Sequence, residues 1–236
     1  MFTPEEIKEG TFLLFNKPLG LTSHDVVHRV RRVLVAYSGE KNLKVGHAGT
    51  LDPLATGLLI LATGKFTKRI DEIQVTDKEY TGTFYLGATT ASYDLEKKPE
   101  HFTSIQHITT EIILAATKNL RGEIQQVPPI HSAIKKDGQR AFQKARAGKE
   151  IVLDARKVFI HAFEITNIRL PEVDFKVNCS KGTYIRSLAN DFGTTLGCGA
   201  YLSSLCRTKI GNHSLQDAFE LPDFLNTYNQ KTEQKN

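Results

Sequence analysis

The residues best suited to do chemistry gather in Gly46-His47-Ala48-Gly49-Thr50-Leu51-Asp52-Pro53-Leu54-Ala55-Thr56-Gly57, where one carboxylate, Asp52, sits among three glycines and a proline. A half-buried carboxylate in such a loop acts as a nucleophile or base when a cation keeps it ionised and oriented. Asp-Pro can equally begin a turn in which the carboxylate accepts a backbone hydrogen bond. His47 lies five residues before Asp52; taken alone, it is a loop histidine making one hydrogen bond. No second carboxylate accompanies Asp52 in a motif suited to paired acid and base work, which argues against glycoside hydrolysis. Cys179, Cys198 and Cys206 are odd in number and lack a C-x-x-C pair, so neither a disulfide framework nor a zinc site is expected.

The elements that must position these residues can be read from periodicity. Leu58 to Ala62 is a short apolar run that predicts a buried strand directly after the loop, placing Asp52 where loop meets sheet. Phe12 to Phe15 predicts a short strand and Asn16 to Gly20 a turn. Ser23 is expected to N-cap a helix whose apolar positions are Val26, Val27, Val30, Val33 and Leu34. Even spacing of Tyr80, Phe84 and Leu86, and of Val173, Phe175, Val177 and Cys179, predicts half-buried strands, with a further strand over 156 to 168. Ile112, Ile113, Ala116 and Leu120 mark a helix ending at Gly122, and Ile185, Leu188, Ala189 and Phe192 another ending at Gly193, with Arg186 on its first turn. Strands and helices do not alternate regularly, so the fold class is α+β, a mixed and largely antiparallel sheet with helices against it.

A chain of 236 residues can bury a substantial core. Its first residues are acidic where a secretory signal would be positive, and no apolar run approaches the ~20 residues of a membrane span. A reducing cytoplasm is the expected location and the membrane is not an expected partner. Net charge is +5, a mild pull toward polyanions. From His131 to Lys157 eight basic residues face three acidic ones, an excess equal to that of the whole chain. Such a run is either a solvated face or a phosphate-binding surface. The segment from about 123 to 154 also carries Pro128-Pro129, Gly138 and Gly148 and is expected to be a surface insertion.

The twelve positions from Gly46 to Gly57 resemble the catalytic loop of the TruB family of tRNA pseudouridine synthases. Asn16 to Ser23 is similar to the family's N-terminal motif, Lys78-Glu79-Tyr80 with Leu86-Gly87 to its tyrosine strand, and Cys179 to Leu188 to its arginine motif, followed by Leu196 to Leu202. The resemblance spans about residues 11 to 220. It implies isomerisation of uridine to pseudouridine at position 55 in the T loop of tRNA. The C1′ to N1 bond breaks, the base turns and is rejoined through C5, with no metal or cofactor. Asp52 would attack the nucleoside or remove a ribose proton, and Arg186 would pair with it and keep it ionised. Tyr80 would stack on the base and assist proton transfer, although a strand tyrosine also serves as core or edge packing. By the same resemblance Tyr184 and Leu205 line the uridine pocket, though each also reads as ordinary packing, His47 helps extrude the nucleotide, and Lys17 and Asp94 contact substrate. Extrusion costs a few kcal/mol, which pocket and wedge contacts must offset. Lys135, Lys136, Arg140, Lys144, Arg146 and Lys149 correspond to an RNA-clasping insertion that reads backbone shape rather than base sequence.

The chain departs from the family pattern at three residues. His131 and Phe142 stand where tyrosine is usual, and Cys206 stands where a second arginine is common beside Arg207. One catalytic domain over 1–225 with a polar tail over 226–236 is expected, without the PUA domain found in many relatives, and it is expected to work as a monomer without a protein partner. Other readings on the same scaffold are a synthase of different RNA specificity, such as the guide-RNA-dependent relatives that carry a PUA domain, and a non-catalytic RNA-binding or tRNA-folding protein. Asp52, Tyr80 and Arg186 together argue against the latter.

Overall fold

A computed structural model of the chain describes residues 2–130, 132, 135–136, 139–140 and 153–234. Its strands are β1 Phe12–Lys17, β2 Val45–His47, β3 Ala55–Thr63, β4 Lys78–Leu86, β5 Gly122–Gln126, β6 Lys135–Lys136, β7 Gln139–Arg140, β8 Arg156–Arg169, β9 Glu172–Cys179, β10 Ala200–Ile210, β11 His213–Ser214 and β12 Phe219–Glu220. The helices are α1 Pro4–Glu9, α2 Ser23–Ser38, α3 Ile70–Gln74, α4 Thr110–Asn119, α5 Ile185–Thr195 and α6 Leu221–Glu233. The α+β class and the mixed sheet expected from the sequence are present: β1 pairs β12 in parallel, whereas β1–β3, β2–β3, β5–β8 and β8–β9 are antiparallel. The chain forms two compact units, residues 1–80 with 206–236, and residues 81–205.

In the first unit the strands run β12-β1-β3-β10, with β2 on β3 and β11 on β10. Strand β3 is apolar from Leu58 to Ala62 because both its faces are covered there. Leu59 and Leu61 join Leu13, Phe15, Val26, Val30 and Phe224 on one side, and Leu58 and Ile60 join Ala48, Ile73 and Ile210 on the other. Helix α2 buries Val26, Val27, Val30, Val33 and Leu34 as its spacing predicted. Its cap is Thr22 rather than Ser23. Thr22 Oγ accepts from Asp25 N at 3.0 Å while Thr22 N donates to the Asp25 carboxylate at 2.8 Å. This reciprocal capping box needs an acidic or amide residue three positions on, which Thr22 has. Within the polar stretch that begins at 226, α6 runs to Glu233, and Tyr228 is buried, its hydroxyl accepting from Phe2 N at 3.0 Å. Leu221, Phe224, Leu225 and Tyr228 share one helical stripe, which secures the helix to the core.

In the second unit the sheet is built from β10, β4, β9, β8 and β5 in that order. The alternating positions of β4 and β9 are buried as predicted. Phe84 stacks on Phe175 with centroids 4.1 Å apart, and Phe163 and Phe192 close the cluster. Each buried ring contributes ~2 kcal/mol of transfer energy and each favourable ring pair about 1 kcal/mol more. Gly193 does not end α5, which continues to Thr195. A Cβ at Gly193 would lie 2.0 Å from Ala200 N, so glycine is there because another backbone touches the helix. Residues 122–126, the start of the expected insertion, form β5 in register with β8. Lys135–Lys136 and Gln139–Arg140 form a short hairpin. His131, Phe142, Lys144, Arg146 and Lys149 lie outside the described residues.

Candidate functional site

Asp52, His47, Lys17 and Tyr80 belong to the first unit, and Arg186, Tyr184, Asp94 and Leu205 to the second. Asp52 is half-buried on the loop between β2 and β3. Its backbone is held on both sides. Ser23 Oγ accepts from Leu51 N at 2.8 Å and donates to Leu51 O at 3.1 Å, while Gly20 N donates to Pro53 O at 2.8 Å. Because Thr22 supplies the helix cap, the Ser23 hydroxyl is available to fasten the residue before Asp52. Ala55 N donates to Asp52 O at 3.1 Å, so a turn closes over the carboxylate's own backbone, as Asp-Pro suggested.

Arg207 organises the same loop from below. Its guanidinium is buried and donates to Leu58 O at 2.8 Å, Gly49 O at 3.1 Å and Thr50 O at 3.5 Å. Gly57 has φ +100°, and a Cβ there would lie 2.4 Å from Arg207 O and 2.9 Å from Cys206 Sγ. Only glycine lets β3 approach β10 this closely. Cys206, the departure noted in the sequence, therefore packs over the strand that follows Asp52. The role of Arg207 was not read from the sequence, and its place beside Cys206 was the one available signal.

Lys17 is fully buried at the end of β1, donating to Pro18 O at 2.9 Å and Leu21 O at 2.6 Å. Burial lowers its pKa to about 8; Asp52 opposes that shift and Arg207 adds to it. The ammonium thus braces the turn that reaches Pro53 and lies within electrostatic range of Asp52. His47, half-buried at the end of β2, has its pKa lowered by burial and then by Arg207, which favours the neutral imidazole. Tyr80 is buried on β4, at 9% exposure.

In the second unit Arg186 is 4% exposed on the first turn of α5. Its Nε lies 3.6 Å from the carboxylate of Asp94, itself 5% exposed, and its Nη1 donates to Ser92 O at 3.4 Å. The segment carrying Asp94 is tied down locally. Thr90 and Ser92 hydroxyls donate to Asp94 O, Asp94 Oδ1 accepts from Glu96 N at 3.0 Å, and Leu202 N donates to Tyr93 O at 2.9 Å. The structure thus places Arg186 against Asp94, a pairing the sequence did not suggest. Tyr184 precedes α5 and is half-buried, with its backbone N donating to Gln126 Oε1 at 2.8 Å. Leu205 is half-buried on β10. Gln126, fully buried, was not anticipated; a glutamine at a strand end carries no sequence signal of its own.

Among the described residues no group of three or more His, Cys, Asp or Glu is placed to hold a metal ion. No described helix is long and apolar enough to cross a membrane.

Comparison with known proteins follows the same motifs. Residues 32–185 match TruB family pseudouridylate synthase (N terminal domain). The chain is 54% identical over 223 residues to tRNA pseudouridine synthase B of Flavobacterium johnsoniae, covering 94% of this chain and 97% of that protein. It is 49% identical to the Bacteroides fragilis protein of the same name, covering 92% and 93%. Among solved structures, it is similar to a chain in the Cbf5-Nop10-Gar1 complex, with a TM-score of 0.74 and 28% identity over 100% of this chain. It spans 61% of that longer chain. A family match across the loop of Asp52 and the strand of Tyr80, with close relatives along nearly its full length, places this chain in the TruB family of pseudouridylate synthases.

Proposed function

We propose that this protein converts uridine to pseudouridine at position 55 in the T loop of tRNA, acting on a flipped-out nucleotide without metal or cofactor. The observation that carries this reading is the fastening of Asp52. A carboxylate whose neighbours Leu51 and Pro53 are both hydrogen-bonded in place is preorganised, and a preorganised group loses little freedom on reaching the transition state. Close relatives named tRNA pseudouridine synthase B support tRNA as the substrate.

Asp52 acts on the nucleoside, as nucleophile at the sugar or ring or as base at the ribose. The C1′ to N1 bond breaks, the base rotates, and C1′ bonds to C5; the hydrogen leaving C5 is balanced by one gained at N1. Arg186 is the cation that keeps the catalytic carboxylate ionised. Tyr80 stacks on the turning base, and Tyr184 and Leu205 line its pocket. His47, held neutral, fills the space the base vacates. Lys17 acts as an internal brace, and Asp94 orients Arg186. The basic residues Lys135, Lys136, Arg140, Lys144, Arg146 and Lys149 bind RNA phosphates.

The test is to map pseudouridine in unmodified tRNA incubated with the purified chain and no added cofactor. Product at position 55 is expected, and Asp52→Asn should lower turnover by at least about a thousandfold while RNA binding persists. Product at another uridine would redirect the specificity, and undiminished turnover in the variant would reject the role of Asp52.

A further inference from the structure

The neck of the basic segment reaches the residue assigned to the uridine pocket. Strand β5 ends at Gln126 and β8 begins at Arg156, and these two residues face each other across the ladder. Everything from 127 to 155 is threaded between them. Both side chains turn to the same short stretch ahead of α5. Gln126 Oε1 accepts from Tyr184 N at 2.8 Å. The Arg156 guanidinium lies 4.7 Å from the centroid of the Tyr184 ring and donates to Gly182 O. Next along the chain, Val127 O accepts from Ser187 Oγ at 2.7 Å. Gly182, at φ +83°, has Arg156 as the nearest group to its missing Cβ, 3.6 Å away.

We propose that Gln126 and Arg156 are positioning residues for Tyr184, so that the two ends of the basic segment set the pose of a pocket tyrosine. The proposal rests on the reading of Tyr184 given under Proposed function. The physical argument concerns degrees of freedom. No side-chain cap bond precedes α5, whose N-cap is Tyr184 itself. A residue in that place keeps an orphan N–H and a free ring unless neighbours hold both. Gln126 takes the N–H and Arg156 takes the ring face, which a planar guanidinium does better than an ammonium. Gln126 is fully buried, so its amide is part of the frame, whereas Arg156 is half-exposed at the root of the basic run. An arginine at the root of a basic run would otherwise count as one more phosphate contact. Its seat on Gly182 O and the Tyr184 ring assigns it a different task.

The experiment is a double-mutant cycle in pseudouridine formation with Arg156→Ala and Tyr184→Leu, alone and together. A holder acting through Tyr184 loses its effect once that ring is gone. We expect Arg156→Ala to lower kcat about tenfold with KM nearly unchanged, and to add less than about twofold in the Tyr184→Leu background. Arg156→Lys should recover little of the loss, and the salt dependence of tRNA binding should be the same with and without Arg156. Additive losses, or a salt slope shallower by about one in Arg156→Ala, would make Arg156 a phosphate contact and overturn the proposal.

A second readout needs no activity. The chain contains no tryptophan, so Tyr184→Trp provides a sole indole whose emission and quenching report that position. Adding Arg156→Ala or Gln126→Ala should shift that emission, and unshifted spectra in both would sink the idea. Absence of pseudouridine with the unmodified protein would count against the function and leave this spectroscopic arm standing.

Discussion

At the scale of single residues, two buried cations shape the surroundings of Asp52 without being obvious as catalytic groups. Arg207 donates to three carbonyls on the loop and on the strand that follows it. Removing it leaves those acceptors buried without their donor, which costs more than the bonds were worth in the intact fold. Arg207→Ala is expected to destabilise the protein by about 3 kcal/mol in urea denaturation and to reduce turnover, because Gly49 and Thr50 lose their anchor. Arg207→Lys should recover only part, since an ammonium cannot span the same carbonyls as a planar fork. Wild-type stability in Arg207→Ala would show that the loop is held by its other bonds, Ser23 to Leu51 and Gly20 to Pro53. Tyr184 presents the same logic in the second unit, where a ring and an N–H are each held by a partner from a neighbouring strand.

At the scale of elements, close packing decides more than propensity. Alanine normally favours a helix over glycine by ~1 kcal/mol, yet at Gly193 the added methyl would meet the backbone of Ala200 at 2.0 Å. Overpacking of this kind costs ~1–3 kcal/mol or more and should win. Gly193→Ala is therefore expected to lower the midpoint of thermal unfolding, and a raised midpoint would mean that the 199–200 turn moves away freely. The β6–β7 hairpin carries Lys135, Lys136 and Arg140, with Lys135 opposite Arg140. Replacing Lys135 and Lys136 by alanine should weaken tRNA binding and reduce the slope of log affinity against log salt by about 1–2. An unchanged slope would identify these lysines as a solvated face.

At the scale of the whole molecule, burying an ammonium leaves a signature in stability against pH. Lys17 has its pKa lowered from 10.5 to about 8 in the folded chain, chiefly by burial. Between those values the unfolded chain binds the proton and the folded chain does not, so unfolding takes up a proton. Stability therefore rises with pH across this window, and the penalty of the buried charge is fully present below about 8. Urea denaturation from pH 7.5 to 10.5 should show this gain in the wild type and a smaller one in Lys17→Met. Matching pH profiles for the two proteins would place the Lys17 titration at its ordinary value.

What the sequence determined by itself were the features that local pattern encodes: the strand after the Asp52 loop, the alternating strands β4 and β9, the apolar face of α2, and the motifs by which the family is known. These follow from side-chain period and from contiguous residues. Other features depended on groups far apart in the chain. Ser23 reads as a cap until Leu51 is seen to bind its hydroxyl 28 residues away. Gly193 reads as a helix end until Ala200 is seen against it, and residues 226–233 read as polar until Tyr228 is seen under the N-terminal segment. The parts played by Arg207, Gln126 and Arg156 were likewise decided by tertiary structure alone. Each acts through a hydrogen bond or ring contact to a backbone brought near by folding, and no spacing within the sequence records such a distance.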